Sequence, residues 1–162
     1  MVVYRGGPHP EVLFIGEAPG KDEDLAGVPF VGRAGRALDQ AIAAVGLDPG
    51  SVGIVNLLKC RPPENRFDPS AAATCRPHLE RQIELLAPRR IVTLGRHALR
   101  SLVPSAPPIT QAAGHVQLGP RGPVFPLLHP AARMHAPRLA ARWTADLDAL
   151  RAWLAEPLSQ TS

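Results

Sequence analysis

The chain has 162 residues, and 45% of them are hydrophobic, which is typical of one domain with a substantial core. No apolar run reaches the roughly 20 residues that a membrane-spanning helix needs, and no signal segment opens the chain, so we expect a soluble cytoplasmic protein. The net charge of +4 is compatible with a polyanionic partner.

The first half of the chain predicts strands that alternate with helices. The apolar run at 11–15 ends in a glycine and is typical of a buried strand, and residues 52–58 form a second run of this kind. Between them, residues 33–45 carry apolar side chains at helical spacing. After a polar loop, Asp68-Pro69 is typical of a helix N-cap followed by a first-turn proline, and we expect this helix to end near residue 87.

The second half repeats the pattern, with a loop-rich stretch that holds a hairpin near Val116. The predicted elements are a strand at 90–94, a helix at 95–103, a strand at 124–128 and a helix at 138–154. Strands alternating with helices indicate the α/β class, here a three-layer α/β/α sandwich with a central four-stranded parallel sheet. We expect a single domain over residues 1–156 and a disordered tail over 157–162.

Residues that could act in catalysis or binding follow the predicted strand ends. They lie in Gly16-Glu17-Ala18-Pro19-Gly20, in Pro29–Gly35 (PFVGRAG), in Asn56 with the segment KCRPPENR at 59–66, and in His129-Pro130. Each has an ordinary structural explanation when taken alone, such as a tight loop, a helix start or a capping side chain. Because the carboxyl ends of parallel strands meet at one edge of a sheet, we expect these loops to form a single site.

In this order and spacing, the segments GEAPG, PFVGRAG, N-x-x-KCRPPENR and HPAARM resemble those of the family-4 uracil-DNA glycosylases. The resemblance covers residues 11 to 153, nearly the whole chain. It implies an enzyme that flips uracil out of single- or double-stranded DNA and hydrolyses its N-glycosidic bond in base excision repair. The alternative is a DNA-damage-binding relative with weak or no catalysis. No feature suggests an obligate dimer, so a monomer is expected.

The resemblance also assigns roles in a base pocket, which Gly16 and Ala18 would help to line. Phe30 would stack on the flipped base, an interaction of about 1–3 kcal/mol. The Asn56 amide matches the N3–H donor and the O4 acceptor of uracil, whereas cytosine presents the opposite pair. Glu23 would crowd the C5 position and so exclude the methyl group of thymine.

For the cleavage step, His129 resembles the donor that stabilises charge on the departing uracil. At the position of Ala18 the most active relatives carry an aspartate that orients the attacking water. Family-4 enzymes lack this aspartate, as this chain does. Water positioning would therefore depend on backbone groups and on Glu17.

The resemblance places the DNA contacts around this pocket. Met134 or Arg133 would enter the space that the flipped base vacates. The predicted phosphate contacts are Arg33, Lys59, Arg61, Arg66 and Arg133.

The chain departs from the family in its cysteines. Family-4 enzymes bind a [4Fe–4S] cluster through four cysteines, and Cys60 and Cys75 match only the second pair. Either the natural chain begins further upstream, or this member has lost the cluster. In the chain as given we expect no metal site and no cofactor, since two thiols cannot complete a four-ligand site.

Overall fold

The structure is a computed structural model that describes residues 1–158, and it is built on one sheet of six strands. The strands are β1 (Arg5–Gly6), β2 (Val12–Gly16), β3 (Val52–Asn56), β4 (Arg90–Leu94), β5 (Gln117–Gly119) and β6 (Gly122–Leu127). The helices are α1 (Lys21–Ala26), α2 (Arg33–Ala44), α3 (Pro69–Leu86), α4 (Gly95–Leu102), α5 (Ile109–Ala112), α6 (Pro130–His135) and α7 (Ala140–Ala155). Single 3₁₀ turns occur at Pro49–Ser51, Pro63–Asn65 and Pro137–Leu139.

The strand order is β1-β3-β2-β4-β6-β5. The four central strands are parallel to one another, which confirms the predicted parallel sheet. Two short strands extend it at the edges: β1 pairs antiparallel with β3, and β5 pairs antiparallel with β6 in a hairpin that begins just after Val116. The sheet is therefore mixed rather than purely parallel.

Alternate residues of β2 face opposite sides of the sheet, and two apolar clusters result. Val12 and Phe14 pack with buried residues of α2 and α7, whereas Leu13 and Ile15 pack with buried residues of α3 and α4. All five residues of β2 are buried, as expected for a strand covered by helices on both faces. This arrangement confirms the predicted three layers.

Several element boundaries differ from prediction. The strand predicted at 52–58 is β3, which ends two residues early at Asn56, because the Leu57 and Leu58 N–H groups donate to the carbonyls of Gly16 and Glu17. The last helix begins at Ala140, after a 3₁₀ turn. The Asp68 cap is present, since its carboxylate accepts from the Ser70 N–H at 2.9 Å. Of the predicted disordered tail, residues 159–162 lie outside the described residues.

The strand ends position the site. Because β2, β3, β4 and β6 run in parallel, their carboxyl ends meet at one edge, and the loops that follow them converge there. No helix among residues 1–158 has the length and hydropathy to cross a membrane.

Candidate active site

A cavity of about 420 Å³ opens at the carboxyl edge of the sheet. Its walls come from the loops after β2, β3 and β6 and from the segment between α1 and α2. The lining residues are Glu17, Ala18, Pro19, Gly20, Glu23, Phe30, Ala34, Asn56, Pro62, Asn65, His129, Ala131 and His135. Residues from segments more than 100 positions apart in the chain thus share one cavity.

Phe30 is held in the pocket by its backbone. Its φ is 56°, a left-handed conformation that bulky residues seldom adopt. The Arg5 guanidinium donates to the Phe30 carbonyl at 2.7 Å. A Cβ at Gly35 would lie 1.8 Å from that same oxygen, so only glycine permits this approach.

Glu23 fixes the same loop from the other side. Its carboxylate accepts from the backbone N–H groups of Gly20 at 3.1 Å, Val31 at 3.2 Å and Gly32 at 3.1 Å. Glu23 therefore ties the start of α1 to the residues that follow Phe30. It also lines the cavity, where its predicted role against the thymine methyl stays a prediction.

Asn56 ends β3 with a buried side chain that is 1% exposed. Neither Oδ1 nor Nδ2 has a hydrogen-bond partner among the described residues. The amide lies beside the ring of Phe30, because a Cβ placed on Gly16 would be 2.5 Å from Asn56 Oδ1 and 2.6 Å from that ring. Both polar atoms are therefore free to bind a ligand in the cavity. Such a ligand would remove the cost of about 1–3 kcal/mol that a buried amide without partners carries.

His129 follows β6 and caps α6. Its Nδ1 accepts from the Ala131 N–H at 3.1 Å, and its ring centroid lies 5.9 Å from that of Phe30. Burial lowers the pKa of His129 to about 4, although the Glu23 carboxylate acts in the opposite direction. The imidazole is therefore neutral at pH 7, and because Nδ1 accepts, Nε2 carries the proton.

The sequence matches one known family along most of its length. Residues 3–154 match the model of the uracil DNA glycosylase superfamily. The chain belongs to this superfamily.

Several relatives in the superfamily are similar along most of the chain. The type-4 uracil-DNA glycosylase of Sulfurisphaera tokodaii is 40% identical over 158 residues, which cover 91% of this chain and 71% of the relative. The enzyme of the same name from Archaeoglobus fulgidus is 39% identical, with 87% and 75% covered. The one from Saccharolobus solfataricus is 43% identical, with 82% and 66% covered.

Glu17 is the second carboxylate in the pocket of this superfamily member. Burial raises the pKa of the Glu17 carboxyl, and the nearby Arg96 partly opposes that rise. Its backbone carbonyl accepts from Leu58 N–H at 3.0 Å, which joins the loop after β2 to the loop after β3. Ala18 lines the cavity next to it and leaves room there.

The predicted DNA contacts do not all lie together. Arg33, Arg133 and Met134 line one groove beside the pocket. Arg61 instead donates to Asn65 Oδ1 at 2.8 Å, and Arg66 pairs with Glu64 at 3.5 Å on the surface.

Lys59 does not fit its predicted phosphate contact. It is 4% exposed, and its ammonium donates to the Asn56 carbonyl and to Gln82 Oε1, both at 2.6 Å. Burial lowers the pKa of Lys59 to about 8. Its ammonium contacts the backbone of Asn56 from inside the protein.

Seven lining residues were given no role by the sequence analysis, and three of them, Pro62, Asn65 and His135, come from the loop after β3 and from α6. Pro62 and Asn65 bring the loop after β3 over the cavity, and His135 reaches it from the last turn of α6. All three lie in or next to the recognised segments. Asn65 has a φ of 56°, a conformation that asparagine tolerates better than most residues, but nothing in the sequence indicates that it faces the pocket.

The cysteines do not form a metal site. Cys60 is exposed and Cys75 is partly exposed, and both are free. Within residues 1–158, no group of three or more His, Cys, Asp or Glu side chains is arranged to bind a metal ion. The residues present therefore do not fit a four-ligand iron–sulfur cluster.

Proposed function

We propose that this chain is a uracil-DNA glycosylase that flips uracil out of DNA and hydrolyses its N-glycosidic bond in base excision repair. The observation that carries the proposal is the amide of Asn56, which has no hydrogen-bond partner within residues 1–158 and is buried beside the Phe30 ring in a cavity that His129 also lines. The names of the three relatives, all type-4 uracil-DNA glycosylases, support the same activity.

Recognition follows from the two polar atoms of Asn56. Uracil offers an N3–H that Oδ1 can accept and an O4 to which Nδ2 can donate. Binding would therefore satisfy both orphaned groups at once, whereas cytosine would face donor with donor and acceptor with acceptor. The Phe30 ring adds base stacking, which offsets part of the cost of flipping.

Bond cleavage leaves negative charge on the departing uracil. We assign His129 as the donor that stabilises this charge at O2, through the proton on Nε2. A neutral imidazole suits this role because it donates a hydrogen bond without having to carry a charge into a buried site. Removing one such donor typically costs about 2.7–4 kcal/mol of the barrier.

The attacking water would enter beside Ala18. The Glu17 carboxylate, partly desolvated, would accept one hydrogen bond from this water and hold it towards the sugar carbon. One chain supplies Phe30, Asn56 and His129 to the same cavity, so the proposed reaction requires no second copy of the chain.

A strand-cleavage assay tests the proposal. Oligonucleotides with one uracil, single-stranded and paired, are incubated with the protein and then with alkali, which breaks the strand at abasic sites. We expect breaks at the uracil position, at least about a hundredfold slower with His129→Ala, and none in uracil-free DNA. Tight DNA binding without strand breaks would instead indicate a damage-binding protein.

A further inference from the structure

Lys59 is a buried cation to which the proposed mechanism gives no role. Its ammonium donates to the main-chain carbonyl of Asn56 and to Gln82 Oε1, both at 2.6 Å. Both acceptors are neutral, and over residues 1–158 no carboxylate forms an ion pair with Lys59. Because a buried charge without a counter-charge costs free energy, such a cation is expected where its charge has a use.

The ammonium lies close to the base pocket without lining it. Asn56 lines the cavity and Lys59 does not, so the lysine approaches Asn56 from the protein interior. Only a few covalent bonds separate the carbonyl that Lys59 binds from the side-chain amide of the same residue. A base held by that amide would therefore be within about 10 Å of the ammonium. Leu57 and Leu58, which precede Lys59, are buried as well, so little water screens the charge.

The direction from which Lys59 approaches matters because excision separates charge. The C1′–N1 bond breaks, its electron pair stays on uracil, and water adds to C1′ with the loss of a proton to solvent. Asn56 would hold the N3 and O4 edge of the base, which faces away from the sugar. A cation on the far side of Asn56 is thus nearer to the negative charge on the departing ring than to the positive charge on the sugar. At this separation inside a protein, the attraction is enough to change a rate about tenfold.

We propose that the Lys59 ammonium, held behind Asn56, stabilises the departing uracil anion through space, in addition to the hydrogen bond from His129. The inference rests on the proposed function, because it takes the cavity to be the uracil pocket. Lys59 does not touch the base; it supplies charge and positions Asn56. Its contribution is therefore largest for a leaving group that holds negative charge poorly.

The test compares two leaving groups in DNA, uracil and 5-fluorouracil. Fluorine withdraws electrons and is nearly as small as hydrogen, so 5-fluorouracil leaves as a more stable anion and still fits the pocket. We expect Lys59→Met to slow single-turnover excision of uracil about tenfold and that of 5-fluorouracil about threefold or less. A displaced Asn56 would slow the excision of both bases equally, so an equal loss for the two bases would overturn the proposal.

Two control variants separate the charge of Lys59 from its packing. Lys21→Met removes the other lysine of the chain, which is exposed at the start of α1, and should leave the ratio of the two rates unchanged. Gln82→Met removes a hydrogen-bond partner of Lys59 but no charge, and it should also keep that ratio. A changed ratio in either control would contradict the proposal. If Lys59→Met does not fold, Gln82→Glu takes its place, because a carboxylate beside the ammonium should shift the ratio in the same direction, and an unshifted ratio would count against the proposal.

A binding measurement separates this proposal from the proposed function. If the wild-type protein excises no uracil at all, the function proposed above is wrong, but the pocket can still be tested with two free rings at neutral pH. Uracil is neutral there, whereas barbiturate is an anion with the same N3 and O4 edge. Lys59→Met should weaken the binding of barbiturate about tenfold and that of uracil much less, and Lys21→Met should weaken neither. Equal weakening for the two rings, or no binding of either ring to the wild type, would show that Lys59 does not stabilise an anion in the pocket.

Discussion

Asn56 is the residue at which stability and proposed function oppose each other most clearly. Its amide is buried, and both of its polar atoms lack partners within the described part of the chain. Leaving a buried group unsatisfied costs about 1–3 kcal/mol, whereas an apolar group of similar shape costs nothing of that kind. Such a side chain is expected where a ligand supplies the missing partners.

Replacing Asn56 with leucine should therefore separate activity from stability. We expect Asn56→Leu to lose uracil excision by about a hundredfold or more and to unfold at an unchanged or higher temperature. Thr93→Val is the control, because the Thr93 hydroxyl is also buried and has no partner in the part of the chain that the structure describes, but lies outside the pocket. The Thr93→Val variant should keep the full uracil-excision activity. A clear loss of stability in Asn56→Leu with activity retained would contradict our assignment.

His129 should make the protein less stable in mild acid. Burial lowers its folded pKa to about 4, so between pH 6.5 and 4 the unfolded chain binds the proton and the folded protein does not. The free energy of unfolding then falls as pH falls through this window, by at most about 3 kcal/mol. Urea unfolding of the wild type and of His129→Asn at several pH values measures this difference. Parallel curves for the two proteins would contradict the prediction.

The single residues of the site were only partly predictable. Phe30, Asn56 and His129 lie at strand ends or helix starts, where a parallel sheet gathers its ligands. Lys59 also follows a strand and resembles a surface cation, but its burial depends on Gln82, which α3 brings from 23 positions away. No local pattern contains that contact.

At the level of elements, hydrogen bonds of the Glu23 side chain connect α1 to the segment that follows it. The Glu23 carboxylate accepts hydrogen bonds from three backbone N–H groups, two of which belong to the residues directly after Phe30. We expect Glu23→Ala to lower the free energy of unfolding by about 2 kcal/mol, because hydrogen bonds to a charged group are lost, and to slow excision as Phe30 loses its support. Chemical unfolding and single-turnover excision measure the two effects.

Asp24→Ala provides the control on the same helix, because Asp24 is exposed and its replacement removes an equal charge. It should change neither quantity appreciably. If Glu23→Ala also gained activity on thymine, its predicted role at the C5 position would be supported as well. Equal behaviour of the two variants would show that the backbone contacts of Glu23 do not matter.

The longer elements were predictable, whereas of the short elements the hairpin near Val116 was predicted and α1, α6 and β1 were not. The strand at Arg90–Leu94 agrees with its predicted bounds, and α3 has the predicted cap at Asp68. The helices α1 and α6 have six residues each, too few for an apolar period to emerge. The edge strands β1 and β5 have two and three residues and exist only because a neighbouring strand pairs with them.

At the scale of the whole molecule, the N-terminal segment joins the sheet to α3. The Val2 side chain is fully buried, and its N–H donates to the Lys59 carbonyl at 2.7 Å. Gln82 donates to the Val3 carbonyl at 2.8 Å and accepts from Lys59, which in turn holds the carbonyl of Asn56. The position of Asn56 thus depends on three distant parts of the chain.

This linkage predicts an unequal cost for two adjacent valines. Val2→Ala should lower the free energy of unfolding by about 2 kcal/mol, because buried methyl groups are removed from a packed site. Val3→Ala should change it by less than about 0.5 kcal/mol, since that side chain is 45% exposed. Urea denaturation of the two variants decides this, and equal losses would mean that the segment does not pack as described.

The main chain of the loop that carries Phe30 is fixed by three sets of contacts to backbone atoms. Arg5 binds the carbonyl of residue 30, Glu23 binds the next two N–H groups, and Gly35 admits the close approach. None of these contacts uses the phenyl group, which is 5% exposed and packs within the apolar cluster that α2 and α7 share with the sheet. The backbone conformation is therefore set independently of the ring, whereas any replacement ring has to match the volume of phenyl to keep this cluster packed.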